Sequence, residues 1–346
     1  MYFLDLYLLN QIKYCLEIWG TDYDKIKQTC LLAEKLGYYG FFYGESLTNL
    51  DLDCWTVLST LVPITKTIRL GPVITYILPN YRSIPLLAKQ SISFQDISAG
   101  RLELRTGSGA TLQYASSWWH PYGIDYPIAS KRISIFEEGI QLLLRYFGKS
   151  NVLKSEENSS RFARDLFTIL DNNADWEVIY HNGKFHKEVG SIMIKPKINI
   201  PITIAAKSKR MMKIAAKYAD IWECSYLSPT EFSLKNSQFS EILRLKNERS
   251  LGLDKSANHP KRSIELDVII ADSDQELEYK KKIFALERGP GVSNQITSKG
   301  LVGKPLDVKT KVKEYINRGI DQFFLAFQDP FDEKSIELFI NTFNRI

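Results

Sequence analysis

Residues 201–224 read PITIAAKSKRMMKIAAKYADIWEC. PITIAA (201–206) is a short apolar run, 208–218 reads as a helix, and DIWEC (220–224) is a second short apolar run. A strand, a helix and a strand in such close succession predict parallel strands covered by helices. The same alternation continues upstream. YCLEIW (14–19) is followed by a helix in which Ile26, Cys30, Ala33 and Leu36 recur at helical spacing. Thr21 and Asp24 give a capping-box pattern at its start, and Gly37 stands where a C′ residue belongs. GFFYG (40–44), a helix over 53–66, IRLGPVIT (68–75), a helix over 83–98 and RLELRT (101–106) come next. Ser130 opens a helix with Ile133, Phe136, Ile140, Leu143 and Phe147 on one face and Gly148 at its end.

Downstream of 224 the cycle runs on through a helix over 230–250, the strand SIELDVIIA (263–271), a helix over 274–287, a helix over 305–318, QFFLAF (322–327) and a last helix over 333–344. Eight strand–helix units in 346 residues favour a closed (β/α)8 barrel of the TIM type over an open sheet. The whole chain, 1–346, reads as one barrel domain. Two insertions break the rhythm. After strand four, 149–190 combines a polar loop around KSEENSSR with a hairpin whose Asn182-Gly183 signals a type I′ turn. After strand seven, the Gly- and Ser-rich stretch 288–304 reads as a mobile loop.

The net charge of +5 is spread along the chain. A nucleic-acid surface needs a concentrated basic patch, so that class is not favoured, whereas a mildly basic surface suits a polyanionic cofactor. No apolar run approaches the ~18 residues of a membrane span, and the apolar N-terminus lacks the features of a signal peptide. Cytoplasm is the expected compartment. Cys15, Cys30, Cys54 and Cys224 are scattered singly and read as small buried hydrophobes rather than zinc ligands or a redox pair.

In a barrel of this kind the chemistry sits where the strands end. Glu45-Ser46 follows strand two, and a carboxylate there can orient a cofactor or accept a proton. GSGATLQ (107–113) follows strand four, where Gly107 and Gly109 permit close backbone approach. Ala206, Lys207 and Ser208 lead into a helix start whose free N–H groups, with Lys207, Lys209 and Arg210, suit an anion. Pro72 inside strand three suggests a bulge or kink. Trp19, Trp118, Trp119 and Trp222 are candidates for a wall at the mouth, although each reads first as core. His181 and His186 flank the hairpin turn without a third ligand nearby, and His120 reads as surface. No metal site is expected.

AEKLGYYGFFYGES (33–46), TIRLGPVIT (67–75), DISAGRLELRTGSG (96–109), PITIAAKSKRMMKIAAKYADIW (201–222) and GIDQFFLAF (319–327) together resemble the bacterial luciferase-like superfamily. That superfamily contains FMN-dependent monooxygenases and enzymes of the deazaflavin coenzyme F420. The resemblance implies a non-proline cis peptide at Val73–Ile74 that backs the cofactor ring. It also implies a glycine turn at Thr106, Gly107, Ser108 and Gly109 beside the ring system, and a phosphate cradle at Ala206, Lys207 and Ser208. Two positions depart from the family pattern: Ser46 stands where many members have His, and Ala110 where some have Glu.

The branch resembled most is that of the methylene-tetrahydromethanopterin reductases and related alcohol dehydrogenases. It implies hydride transfer with F420, with Glu45 orienting the ring or relaying a proton and Ser46 hydrogen-bonding substrate or cofactor. Two other readings remain open. One is a two-component monooxygenase fed with reduced FMN by a separate flavin reductase. The other is a non-catalytic flavin-binding subunit. A small-molecule substrate is the expected partner, and barrel relatives often dimerise.

Overall fold

The computed structural model describes residues 12–149, 176–249 and 259–344. Most of the predicted polar insertion (150–175) lies outside the described residues. The strands are β1 (Lys13–Ile18), β2 (Gly40–Gly44), β3 (Arg69–Val73), β4 (Thr75–Tyr76), β5 (Leu104–Gly107), β6 (Trp176–Asn182), β7 (Lys187–Ile194), β8 (Ile202–Ala205), β9 (Ile221–Glu223), β10 (Lys261–Ile270), β11 (Leu301–Gly303) and β12 (Gln322–Phe327). The helices are α1 (Tyr23–Leu36), α2 (Cys54–Leu61), α3 (Ile84–Ile97), α4 (Leu112–Ala115), α5 (Ala129–Tyr146), α6 (Lys209–Tyr218), α7 (Pro229–Arg249), α8 (Asp274–Arg288), α9 (Pro290–Lys299), α10 (Pro305–Ile316) and α11 (Glu333–Asn344). They divide between two compact units, one formed by 1–73 with 203–346 and the other by 74–202.

In the first unit the strands pair in parallel in the order β3-β2-β1-β12-β10-β9-β8. The two faces of this sheet differ in chemistry. On one, Leu16, Ile264, Leu266, Phe323 and Leu325 are buried. There Tyr14 stacks against Phe323 and against Phe343 of α11, so this face packs under helices. Side chains alternate along a strand, and parallel register keeps paired residues on one side. The opposite face therefore carries Cys15 and Glu17 of β1, Ser263, Glu265 and Asp267 of β10, and Gln322, Phe324 and Ala326 of β12.

β10 is the spine of this unit. β12 pairs along one edge from Ser263 to Val268. On the other edge β9 takes Lys261–Ser263 and β11 takes Val268–Ile270. Residues 264–267 face no described strand on that edge. The loop after β9 fills the space: Glu265 N–H donates to Ser225 Oγ at 3.2 Å, and Tyr226 N–H donates to the Glu265 carbonyl at 2.9 Å.

In the second unit β4 pairs β5 in parallel, and β6 and β7 form an antiparallel hairpin. Its apolar cluster gathers Leu78, Ala115, Trp119, Ile124 and Tyr126. The edges of Tyr76 and Tyr81 pack on Trp119 at 5.0 and 4.7 Å.

Several local expectations change. Asp22, not Thr21, caps α1: its backbone is extended and its carboxylate accepts from Lys25 N–H at 3.2 Å, which leaves Asp24 in the first turn. Gly37 takes the left-handed C-cap as expected, with φ 81°. The ladder runs through Pro72, paired with Tyr43 in unbroken register, and the interruption falls at Ile74 between β3 and β4. The hairpin turn is not the two-residue type I′. Asn182 pairs with Lys187, and four residues, 183–186, make the connection. The Glu138 carboxylate accepts from the N–H groups of Lys184, Phe185 and His186 at 3.1, 2.9 and 2.8 Å and so sets the turn instead. The stretch 288–304 is not a loop. Pro290 starts α9, Ile296 packs against Ile269 and Phe284, and β11 follows.

Glu34 at the end of α1 shows how one carboxylate organises a turn. It accepts from the N–H groups of Lys66, Thr67 and Ile68 at 2.8, 2.7 and 3.0 Å. Partial burial pushes its pKa up, but the backbone donors outweigh this and hold it below the ordinary carboxylate value. Glu34→Gln is expected to cost about 1 kcal/mol. A depressed pKa stabilises the fold above the unfolded-state value and ceases to do so as pH falls through the folded-state value. The gap between wild type and variant in urea unfolding should therefore be full at neutral pH and close in acid. A gap that persists unchanged below pH 3 would contradict this.

Candidate active site

The strand ends of the first unit bring several of the expected residues together. Glu45 follows β2 directly and is buried, and its N–H donates to the Val73 carbonyl at 3.0 Å. The expected catalytic carboxylate and the first expected ring-backing residue thus end neighbouring strands. Ser46 Oγ donates to Asp51 Oδ2 at 3.0 Å and lies 2.9 Å from Thr48 Oγ1. Asp51 was not anticipated from sequence. Its carboxylate lies against the α-carbon of Gly44, where a β-carbon would come within 2.6 Å of it. Burial raises its pKa, opposed by hydrogen bonds from the Ser46 hydroxyl and then the Gly20 backbone. Tyr43 Oη ties the loop down by donating to the Gly20 carbonyl and accepting from Leu52 N–H at 2.8 Å.

After β8, Ala206 is held at both ends of its peptide. Its N–H donates to the Glu223 carbonyl at 2.8 Å and its carbonyl accepts from Trp222 Nε1 at 2.8 Å. Ser208 is the N-cap of α6, its Oγ accepting from Met211 N–H at 3.2 Å. Lys207 lies between them, exposed, with its ammonium 5.8 Å from the Tyr226 ring. Desolvation lowers its pKa, while Cys224, Glu265 and Glu223 oppose the shift. The lysine therefore faces a group of carboxylates as well as the helix start.

That group is the main feature that strand-by-strand reading misses. Glu17, Glu223, Glu265 and Asp267 are all buried. Ser225 Oγ donates to Glu223 Oε1 at 2.8 Å, and the Tyr226 hydroxyl donates to Glu265 Oε1. Tyr226 itself has φ 53°, an uncommon left-handed conformation for a non-glycine residue. Burial of its hydroxyl end, then Glu265, Glu17 and Asp267, push the phenol well above its ordinary pKa, so it remains a donor. Burial raises Asp267 to about 6, with Arg288 opposing and Glu265 adding to the shift. The available signal was the E-x-D spacing inside SIELDVII, which puts two carboxylates on one face of a strand whose other residues are apolar.

In the second unit Thr106 Oγ1 donates to the Thr75 carbonyl at 2.8 Å, and Gly107 pairs with Tyr76. The turn beyond is held from behind by Arg132. Its Nε donates to the Ser108 carbonyl at 3.0 Å, Nη2 to the Ala110 carbonyl at 2.6 Å and Nη1 to the Pro127 carbonyl. Gly109 has φ 87°, and a β-carbon there would meet the Tyr126 hydroxyl at 2.3 Å, so both space and backbone demand glycine.

The other candidates separate cleanly. Trp222 and Trp119 are core, whereas Trp19 and Trp118 are half-buried. His120 is exposed, and His181 lies 3.3 Å from Glu138. All four cysteines are buried and unbridged. Among the described residues no three of His, Cys, Asp and Glu are placed to share a metal, and no helix is long and apolar enough to cross a membrane.

Parallel strands covered by helices and ending in polar turns are the marks of an α/β barrel. The chain belongs to the luciferase-like monooxygenase family, whose profile matches residues 16–284. Solved structures with the same fold include an F420-dependent secondary alcohol dehydrogenase in complex with an F420–acetone adduct. It is 13% identical, covers 96% of this chain and 98% of its own, and has a TM-score of 0.72. The F420-dependent tetrahydromethanopterin reductase of Methanopyrus kandleri is 18% identical over 96% and 98% of the two chains, with a TM-score of 0.67. The oxygenating constituent of 3,6-diketocamphane monooxygenase from Pseudomonas putida, in complex with FMN, is 15% identical over 94% and 96%, with a TM-score of 0.63. These likenesses show the fold, a luciferase-like TIM barrel.

Proposed function

We propose that this chain is an F420-dependent oxidoreductase that moves a hydride to or from a small organic substrate. The observation that carries the reading is the 3.0 Å hydrogen bond from Glu45 N–H to the Val73 carbonyl, because it ties the backbone of a buried glutamate to the end of the interrupted strand that the family resemblance assigns to the cofactor ring. The donor set at α6 fits the cofactor's anionic tail: Ser208 caps a ten-residue helix, and Lys207, Lys209 and Arg210 are exposed around its start. A deazaflavin, when bound, supplies a two-electron hydride carrier. The protein's part is to position, to exclude water and to hold protons. Glu45 holds or relays a proton at its carboxylate, and Val73 and Ile74 support the ring. Ser46 acts with Asp51, to which its hydroxyl is already bonded. The turn from Thr106 to Gly109 is assigned to the cofactor on the same family resemblance.

The second reading is a monooxygenase using reduced FMN from a separate flavin reductase. The FMN-bound structure that matches 94% of the chain favours it. Fluorescence titration of the full chain with F420 and with oxidised and reduced FMN separates the two. Tight F420 binding with weak FMN binding is expected, and selective binding of reduced FMN would overturn the proposal. In the turnover assay that follows, Glu45→Gln is expected to keep cofactor affinity and to lose about 100-fold or more in kcat. A variant as active as wild type would remove Glu45 from the mechanism, and loss of turnover in every donor and acceptor pair, with binding intact, would indicate a non-catalytic subunit.

A further inference from the structure

The loop after β2 holds a row of hydroxyls that ends on a carboxylate. Ser46 Oγ donates to Asp51 Oδ2 at 3.0 Å, and Thr48 Oγ1 lies 2.9 Å from Ser46 Oγ. An ionised carboxylate only accepts, and a hydroxyl has one proton to give. Ser46 gives its proton to Asp51, so Thr48 is the donor to Ser46. Thr48 Oγ1 in turn accepts from Leu50 N–H at 3.4 Å, which leaves it one lone pair with no donor among the described residues. Thr48 is half-buried, so that lone pair is not sealed off. The far end of the row is held firmly. Asp51 pairs with Gly20 beyond the end of β1, its carboxylate lies against the α-carbon of Gly44, and the next residue, Leu52, donates its N–H to Tyr43 Oη at 2.8 Å.

We propose that Thr48, Ser46 and Asp51 form a proton relay for a substrate hydroxyl, with Asp51 as the final acceptor. This rests on the oxidoreductase reading above and adds to it the group that takes the substrate's proton. As an alcohol is oxidised, its O–H proton passes to Thr48 Oγ1, the Thr48 proton to Ser46 Oγ and the Ser46 proton to Asp51 Oδ2. Each hydroxyl ends with one proton, and the carboxylate becomes a carboxylic acid. The electron pair of the broken O–H bond closes the carbonyl, while the neighbouring C–H bond gives up its hydride to the oxidised deazaflavin. Reduction of a carbonyl runs the same steps backwards. Ser46 stands where many family members have His, and a hydroxyl by itself is too weak a base to replace an imidazole. Linked to Asp51 it gains one, because burial raises the Asp51 pKa toward the range a general base needs, against the Ser46 and Gly20 hydrogen bonds. Glu45 keeps its place on the cofactor side.

The relay is tested first without cofactor, by isotope-edited NMR of the aspartate carboxyls in the full chain, with Asp51 assigned through Asp51→Asn. Ser46→Ala is expected to move the Asp51 titration to higher pH, since a donor to the charged form is lost. Thr48→Val, which keeps the shape and removes the hydroxyl, should move it the same way by less, acting through Ser46. An Asp51 titration in Thr48→Val identical to wild type would break the relay. The second test is oxidation of 2-propanol, cyclohexanol and benzyl alcohol with F420. Thr48→Val should lose about 100-fold or more in kcat at unchanged F420 affinity, and Thr48→Ser should recover most of that loss. Wild-type kcat should fall as pH drops through the Asp51 titration, because a protonated carboxyl cannot accept, and Asp51→Asn should lose both the rate and this pH dependence. The other titratable groups on the elements around Asp51 are Tyr43, Glu45, Asp53, Cys54 and, beyond Gly20, Asp22. Thr48→Val as fast as wild type, or Asp51→Asn with the wild-type pH profile, would overturn the relay and leave the oxidoreductase reading standing. Should Asp51→Asn fail to fold, the two Thr48 variants decide. Wild type that binds F420 yet moves no hydride to or from these alcohols and their carbonyl products overturns the relay alone. Wild type that binds no F420 takes the oxidoreductase reading down with it.

Discussion

Replacing Arg132 with alanine is expected to destabilise the protein by about 3–5 kcal/mol, because the side chain is a buried cation that satisfies three main-chain carbonyls. The residue is 3% exposed. It donates to the carbonyls of Ser108, Ala110 and Pro127, and its guanidinium lies 4.2 Å from the centre of the Tyr126 ring. Alanine leaves these carbonyls without their donor, and only the Tyr126 hydroxyl, 2.9 Å away, still serves Ala110. Arg132→Lys keeps the charge but replaces a rigid planar fork with one flexible ammonium, so an intermediate loss is expected. Guanidinium unfolding measures both variants. Amide exchange at Ser108, Gly109 and Ala110 should accelerate in the same order. A loss below 1 kcal/mol for alanine would mean that the turn holds its shape without the guanidinium.

Trp222→Ala should cost a similar amount, about 3–5 kcal/mol, by a different route. The indole is fully buried, stacked at 4.1 Å on Phe239 and 5.9 Å from Phe232. Its removal opens a large cavity and also takes the N–H donor from the Ala206 carbonyl. Trp222→Phe restores part of the packing without the donor. If Ala206 contributes to the phosphate cradle, the phenylalanine variant should lose cofactor affinity beyond what its modest instability explains. Equal affinity in that variant would show that the Trp222 hydrogen bond plays no part in holding the cradle.

The barrel was legible because most of its strands, though not β11 at 301–303, carry enough apolar surface to be recognised by themselves. GFFYG and QFFLAF were located to the residue, at 40–44 and 322–327. The Gly- and Ser-rich stretch 288–304 misled because composition speaks for a loop, whereas Pro290 at the helix start and Ile296 in the core decide for a helix over 290–299. The carboxylate face was harder for a different reason. Ile264, Leu266 and Val268 make β10 read as buried throughout, and what Glu265 and Asp267 face depends on β1 and β12, segments far away in sequence. Asp51 was hidden likewise, since only the folded loop lays it against Gly44.

The stretch of β10 from 264 to 267 that meets a loop instead of a strand has a consequence for divergence. The pairing of β10 with β12 fixes where Glu265 and Asp267 stand. What lies beside them on the other edge is decided by Ser225 and Tyr226, which belong to no strand. Substitutions or length changes in that loop can reshape the surroundings of the carboxylates without a register slip, so this is the position from which a new ligand preference is most readily bred or engineered while the scaffold stays intact.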